Sequence, residues 1–391
     1  MPNEGSFRTH LPFLIYLTGI FFLSFISRVI LSPLMPTIEN DLNIGHGEAG
    51  SLFLFISLGY FIGLLGSGFV SSRFTHRWTV ILSSVAVGGS LIGVSLCQAL
   101  WSMRSVLIVL GISAGLYLPS GIATLTDTVN SRDWGKALAF HELAPIVSFI
   151  AAPLLAEGLM IWLSWRAVVA LIGVVAVVVG TAFIRFGRGG AFPGEPPSPK
   201  SIRTLLPIPS FWIMIALFSM AIGSTIGVYA MLPLYLVAER GLERGLANTL
   251  IGVSRIAALG VVFLAGWATD RLGPRRALVG VFLSVGMATI LLGLVRGMWI
   301  IPALFSQPVL AQCFFPAGFA ALSRIGPPQI RNVAVSLTIP VAFLSGAGVI
   351  PAGIGVMGEK GFFWLGYVML GALLMGSIIL LRYLKFHEDT G

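Results

Sequence analysis

Apolar residues fall in twelve long runs along this chain of 391 residues, separated by short polar loops. A helix that crosses a membrane needs about 20 mainly apolar residues. The runs therefore predict twelve spanning helices, over roughly Leu11–Leu34, Gly47–Val70, Trp78–Ala99, Met103–Val129, Lys136–Trp162, Trp165–Phe186, Phe211–Leu236, Leu246–Trp267, Ala277–Val295, Ile300–Leu322, Asn332–Val356 and Phe362–Leu384. The first follows a short polar lead and is not followed by an A-x-A-like cleavage site, so it is expected to be a retained helix rather than a signal peptide. One longer polar stretch, 187–209, holds Pro193, Pro196, Pro197 and Pro199 together with Gly187, Gly189, Gly190 and Gly194. Such a composition reads as a linker. It divides the chain into an N-terminal six-helix bundle (1–186), a cytoplasmic linker (187–209) and a C-terminal six-helix bundle (210–391).

The halves echo each other. Gly266–Arg276 reads G-W-A-T-D-R-L-G-P-R-R, and Gly68–Arg77 reads G-F-V-S-S-R-F-T-H-R, with Gly68/Gly266, Arg73/Arg271 and Arg77/Arg275 each 198 positions apart. A second pair, P-S-G-I-A-T-L at Pro119–Leu125 and P-A-G-F-A-A-L at Pro316–Leu322, lies at an offset of 197 and matches span four to span ten. A repeat of this period between apolar runs indicates a duplicated membrane protein, the build expected of a transporter whose halves rock about a central site.

Composition sharpens this. Hydrophobic residues make up 56% of the chain and charged ones 10%, against roughly 25% charged in soluble domains. Lipid must be the solvent for much of the surface. The net charge of +9 is scattered over short loops rather than massed on one element, which excludes a nucleic-acid interface and favours a membrane surface. Cys97 and Cys313 lie inside apolar runs of opposite halves, implying neither a disulfide framework nor a metal site. No cofactor is implied, and a monomer is expected. With the N-terminus inside, the inner loops carry sixteen Lys and Arg against six outside, which leaves only Arg28 and Arg255 unassigned. The positive-inside rule then places both termini in the cytoplasm of a multi-pass protein of the inner (plasma) membrane.

Gly266–Arg276 resembles the loop after the second span of the major facilitator superfamily, G-x-x-x-D-R-x-G-R-R, with Pro274 inserted. Ser72 and Thr75 depart from that pattern in the first-half copy. The resemblance covers the whole chain through span count, linker and repeat. It implies an all-α membrane fold of twelve helices in two pseudo-symmetric bundles, with spans one, four, seven and ten lining a cavity. Spans three, six, nine and twelve then face lipid, and these four carry no charge within their apolar interiors. The resemblance also implies an inner gate: Asp270 accepts hydrogen bonds from the amino end of a neighbouring helix, while Arg271, Arg275, Arg73 and Arg77 bridge to acids or carbonyls. Asp127 is expected at the same gate.

The two unassigned arginines fall in spans one and eight. An arginine in hydrocarbon costs several kcal/mol even on lenient scales, at least about 2.5, so it faces a wet cavity or a partner. Arg255 lies about 14 Å along its helix, near the bilayer middle. Guanidinium groups bind carboxylate or phosphate in two-point fashion, so Arg28 and Arg255 are the candidate substrate ligands. Half-helix amino ends near Pro33, Pro119 and Pro233 would add donors. Segment Ser27–Pro36 is similar to span one of the organic-anion and phosphate-ester branches, and Arg255 to the span-eight arginine of oxalate and monocarboxylate transporters. The structural alternative is an arginine that pairs with an internal carboxylate. Glu142, beside His141 in span five, is that carboxylate and the candidate for proton coupling together with His141. Tyr117, Tyr229 and Gln312 are expected at the substrate; Tyr16 and Gln307 are further polar residues of cavity-type spans. His10, His46, His76 and His387 are assigned nothing.

The expected function is secondary transport of a small organic anion, a carboxylate, by alternating access with proton symport. The rival is a proton-coupled exporter of cationic drugs. That class often has an arginine early in span four and a G-P-x-x-G-G stretch in span five, where this chain has Leu107, Ala144-Pro145 and Ala152-Pro153. A non-transporting sensor should carry a sizeable soluble domain, and an enzyme a metal cluster or a nucleophile with its base; neither pattern appears.

Overall fold

The computed structural model of the chain describes residues 7–196, 199–326 and 331–386. The extreme termini, whose cytoplasmic placement was expected, and His387 lie outside the described residues. Among the described residues, twelve helices are long and apolar enough to cross a membrane: Thr9–Leu42, His46–Phe74, His76–Leu96, Leu100–Thr128, Ser131–Met160, Trp165–Phe186, Pro209–Ala238, Arg244–Leu272, Pro274–Leu294, Gly297–Leu322, Val333–Glu359 and Phe363–Leu381. They are numbered here as spans one to twelve. No strand occurs among the described residues. In lipid the backbone has no water to bond, so each crossing must satisfy its own amides, which selects helix.

Four of these spans are broken just ahead of a proline. The regular helix lapses at Ile30, Leu116, Glu142 and Cys313, and each stands three residues before a proline, Pro33, Pro119, Pro145 and Pro316. Proline has no N–H to give, and its ring crowds the carbonyl four residues back. The carbonyls of Val29, Gly115, His141 and Gln312 thus lose their helical donor. The repeated P-x-G-x-A-x-L motif is the sequence form of two of these breaks. Span eight breaks without proline, between Ser254 and Ala258, at Arg255 itself. Spans seven and eleven instead widen into π-helical turns at Gly223–Gly227 and Leu344–Val349. These turns pack closely: a Cβ on Gly227 would stand 2.6 Å from the Gly346 carbonyl oxygen.

By packing, the chain forms two compact units, Met1–Leu31 with Leu58–Pro196, and Ser32–Ser57 with Pro197–Gly391. The hairpin Ser32–Ser57 belongs with the second unit. Ser32 Oγ donates to Tyr229 O at 2.7 Å, Asn248 Nδ2 to Pro33 O at 3.1 Å and Arg244 Nη1 to Thr37 Oγ1 at 2.9 Å. At the hairpin tip the Gly47 amide donates to Glu359 Oε2 at 3.0 Å, and His46 Nδ1 lies 2.9 Å from Glu39 Oε1.

The stretch read as linker is partly structured. Its first part is a strap across one end of the first unit. Arg77 N donates to Gly190 O at 2.8 Å, His76 N to Phe192 O at 3.1 Å and Gly194 N to Ser71 O at 3.0 Å. His76 also packs edge-on against Phe192, with centroids 4.8 Å apart. Beyond the strap, Pro199–Leu205 forms a short helix.

Candidate functional site

In the first unit, the break at Ile30 leaves Arg28 in the last turn of the first helical piece of span one, Phe7–Val29. Arg28 is buried, and its guanidinium stands 4.0 Å from the ring centroid of Tyr60 and 4.8 Å from that of Phe25. Cation–π contact of a desolvated guanidinium contributes about 2 kcal/mol and holds its plane in place. Phe25 packs edge-on with Phe149, and Phe21 stacks on both His141 and Tyr117, at 4.5 and 5.3 Å. Tyr117 donates its hydroxyl proton to Leu17 O at 2.8 Å and lies 3.0 Å from His141 Nε2. His141 is wholly buried, whereas the Glu142 side chain is 54% exposed and its Oε1 stands 3.8 Å from His141 Nδ1. Arg28, Tyr117, His141 and Glu142, expected at the site, therefore gather on spans one, four and five. Tyr117 alone changes character. Its hydroxyl already serves a carbonyl and a histidine, which does not match the expected contact with substrate.

In the second unit, the break of span eight presents Arg255 towards the π-helical turn of span seven. Arg255 is 2% exposed; its Nη2 donates to Thr225 O at 3.4 Å, and its guanidinium lies 5.0 Å from the Tyr229 ring centroid. A π-turn releases carbonyls from the regular ladder. Ser224 O receives Gln307 Nε2 at 2.7 Å, so two side chains from other spans use this one turn. Tyr229 is itself buried. Gln312 is buried beside the break at Cys313. Each unit thus holds one buried arginine against the face of a tyrosine, next to an interruption of its helix. Tyr60 was missed because a tyrosine in an apolar run carries no spacing signal. Tyr16, by contrast, is a structural residue, its hydroxyl donating to Val179 O at 2.7 Å.

The repeated loops and Asp127 depart from expectation. Asp270 is exposed in the last turn of its helix, where the dipole disfavours an anion, and among the described residues it makes no helix-capping contact. Arg271 packs over Trp267 at 4.8 Å, and Arg275 Nη2 donates to Arg382 O at 2.8 Å. Arg77 Nη2 donates to Ile184 O at 2.9 Å, while Arg73 is exposed. Asp127 Oδ2 accepts the Gly190 amide at 2.8 Å. Asp127 is thus an anchor of the strap rather than an ion-pairing gate residue. Lys136 pairs with Asp133 at 2.9 Å. Among the described residues no group of three or more His, Cys, Asp or Glu is placed to hold a metal ion.

The family model of the Major Facilitator Superfamily matches residues 17–351. Among curated proteins, the chain is 21% identical to the nitrite extrusion protein of Bacillus subtilis, covering 93% of this chain and 92% of that one. It is 21% identical to the multidrug resistance protein MdtL of Escherichia fergusonii (90% and 89% covered) and 24% identical to the cis,cis-muconate transport protein of Acinetobacter baylyi (88% and 86%). Among solved structures, an inward-facing bacterial homologue of the human lysosomal transporter Spinster shares the fold, with a TM-score of 0.77, 16% identity and coverage of 97% and 96%. With the twelve helices and the repeated loop, these findings establish that the chain belongs to the major facilitator superfamily and is a multi-pass membrane transporter of the secondary kind, not an enzyme.

Proposed function

We propose that this transporter carries a small organic anion, a carboxylate, by alternating access coupled to protons. The observation that carries this reading is the pair of buried arginines, one per unit, each set on a tyrosine face beside a break in its own helix. A buried cation is costly unless an anion or a set of dipoles meets it. A planar fork already oriented by an aromatic face loses little freedom when a carboxylate binds. Similar proteins whose names specify nitrite and muconate, both anions, support the same reading. Arg28 and Arg255 are assigned as substrate ligands, Tyr229 and Gln312 as their neighbours, and His141 with Glu142 as the proton-coupling pair. The two bundles, the inner-membrane placement with both termini in the cytoplasm, and a monomeric working unit form part of this proposal.

Thermal-shift and uptake measurements with small mono- and dicarboxylates, sulfonates and phosphate esters test it, with Arg28→Ala and Arg255→Ala alongside. A charge-assisted contact contributes about 1.5–3 kcal/mol, so each substitution should weaken binding roughly 10- to 100-fold. Anion binding that survives both substitutions would sink the assignment of these arginines as substrate ligands. The rival, a drug exporter, has support in the similarity to MdtL. Stabilisation by lipophilic cations and indifference to every carboxylate would establish that rival instead.

A further inference from the structure

His141 is fully buried, and its two ring nitrogens are treated differently by the fold. Tyr117 has one hydroxyl proton, and that proton goes to Leu17 O at 2.8 Å. A hydroxyl has a single donor, so the 3.0 Å contact between Tyr117 Oη and His141 Nε2 must be donated by the histidine. The neutral ring is therefore the Nε2–H tautomer, and its Nδ1 carries a lone pair. That Nδ1 is buried and accepts no hydrogen bond. Its nearest ionisable neighbour is Glu142 Oε1, 3.8 Å away, too far for a hydrogen bond yet within reach of a small movement. Phe21 stacks on one face of the ring at 4.5 Å and 9° between planes, which prevents the ring from turning to exchange its nitrogens.

We infer that His141 Nδ1 is the atom that takes up the coupling proton, that Glu142 is its counter-ion, and that Tyr117 is a positioning residue which fixes the tautomer. This rests on the proton-coupled reading above and narrows it from a pair of residues to one atom. Protonation forms the Nδ1–H bond and breaks none in the protein; the ring becomes a cation whose two N–H groups point at Tyr117 Oη and Glu142 Oε1. The unpartnered acceptor becomes a donor facing a carboxylate, so loading the proton exchanges an unmet polar atom for an ion pair. The ionisable groups around it are Glu142 on its own span, Tyr117 on span four, and Arg28 and Tyr60 on spans one and two, which interact with the same cluster. Lys136, on the same helix, is engaged with Asp133. Because regular helix lapses at Glu142, a proton that draws Glu142 towards His141 acts at the flexible point of span five.

Nitrogen-15 NMR of histidine-labelled full-length protein in nanodiscs reads this without any substrate. The chain has five histidines, and His141→Gln identifies the resonance. The expected result is an Nε2–H tautomer at pH 8 that gains a proton at Nδ1 on acidification towards pH 5. Tyr117→Phe should mix the tautomers, and Glu142→Gln should change the protonation of the ring at a given pH. A native Nδ1–H tautomer, a ring that stays neutral down to pH 5, or a titration unmoved by both Tyr117→Phe and Glu142→Gln would overturn the assignment. If His141→Gln fails to fold, the two remaining variants decide the matter through the one buried resonance they perturb. Anion binding is measured separately, so loss of the arginine ligands and loss of the proton site give different results.

Discussion

Thr75 and Gly273, 198 positions apart, occupy nearly the same backbone conformation, φ 74° and ψ 158° in the first and φ 79° and ψ 153° in the second. Both sit where the second span of a half turns into the third. The repeated loop is thus a repeat of backbone geometry as well as of letters, and the first half keeps the turn after losing the glycine that suits it.

That conformation is the preserve of glycine, and a β-branched residue held there stores about 1–3 kcal/mol of strain. Thr75→Gly should therefore raise the thermal midpoint of the purified protein by a few degrees, offset in part by glycine's larger unfolded-state entropy. Gly273→Thr should lower it. Equal melting of Thr75→Gly and native protein would show that the strap contacts, and not strain, govern this corner.

The Asp127 carboxylate accepts the Gly190 amide, where Gly189 and Gly190 both have positive φ, +69° and +67°. Asp127→Ala removes the only side-chain acceptor described for this strap amide. A part-buried hydrogen bond of this kind contributes about 1 kcal/mol. Hydrogen exchange over residues 187–196 should accelerate roughly fivefold in Asp127→Ala, with a smaller change in Asp127→Asn, which keeps an oxygen. The protection of span six is expected to stay as it is.

At the Ser32–Ser57 hairpin, a Cβ placed on Gly45 would collide with the Glu359 carboxylate, the group that receives the Gly47 amide. Gly45→Ala should displace that carboxylate and remove the cap of span two, at a cost of about 1 kcal/mol. Glu359→Ala should cost a similar amount. The double variant should cost less than the sum, because both changes remove one interaction. Additive losses in melting temperature would separate the two residues.

Glu243 caps span eight by accepting the amides of Gly245 and Leu246, both at 2.9 Å. Those two backbone bonds hold its carboxyl below the usual carboxylate value. A depressed folded-state pKa gives a contribution that is complete above the unfolded value and fades as pH falls through the folded one. Glu243→Ala should thus destabilise the protein near pH 7, and the difference from native should shrink below about pH 4.5. Melting curves across pH 7 to 3 measure this, and a gap that widens in acid would contradict the sign.

Much of the architecture was legible because it depends on sums along the chain. Apolar length sets twelve crossings, and loop charge and the repeated motifs organise them, whichever residues each helix touches. The helix breaks were half legible, since a proline reports where a carbonyl loses its donor but not what then fills the gap. Arg28 and Arg255 stood out because a guanidinium in an apolar run demands an explanation whatever surrounds it.

Partners were another matter. Tyr60 looked like any aromatic until span one brought Arg28 to its face. Tyr117 looked free for a substrate until Leu17 and His141 took its hydroxyl. Asp127 and residues 187–196 read as a gate acid and a loose linker, because proline and glycine content says nothing about the Ser71–Arg77 loop that receives them. The chain alone determined the number of crossings, the duplication and the placement of two costly charges, which follow from transfer energies of individual residues. Only the tertiary structure decided which hydroxyl, carbonyl or ring meets each of those charges, because hydrogen bonds and ring contacts act over a few ångströms between residues remote in sequence.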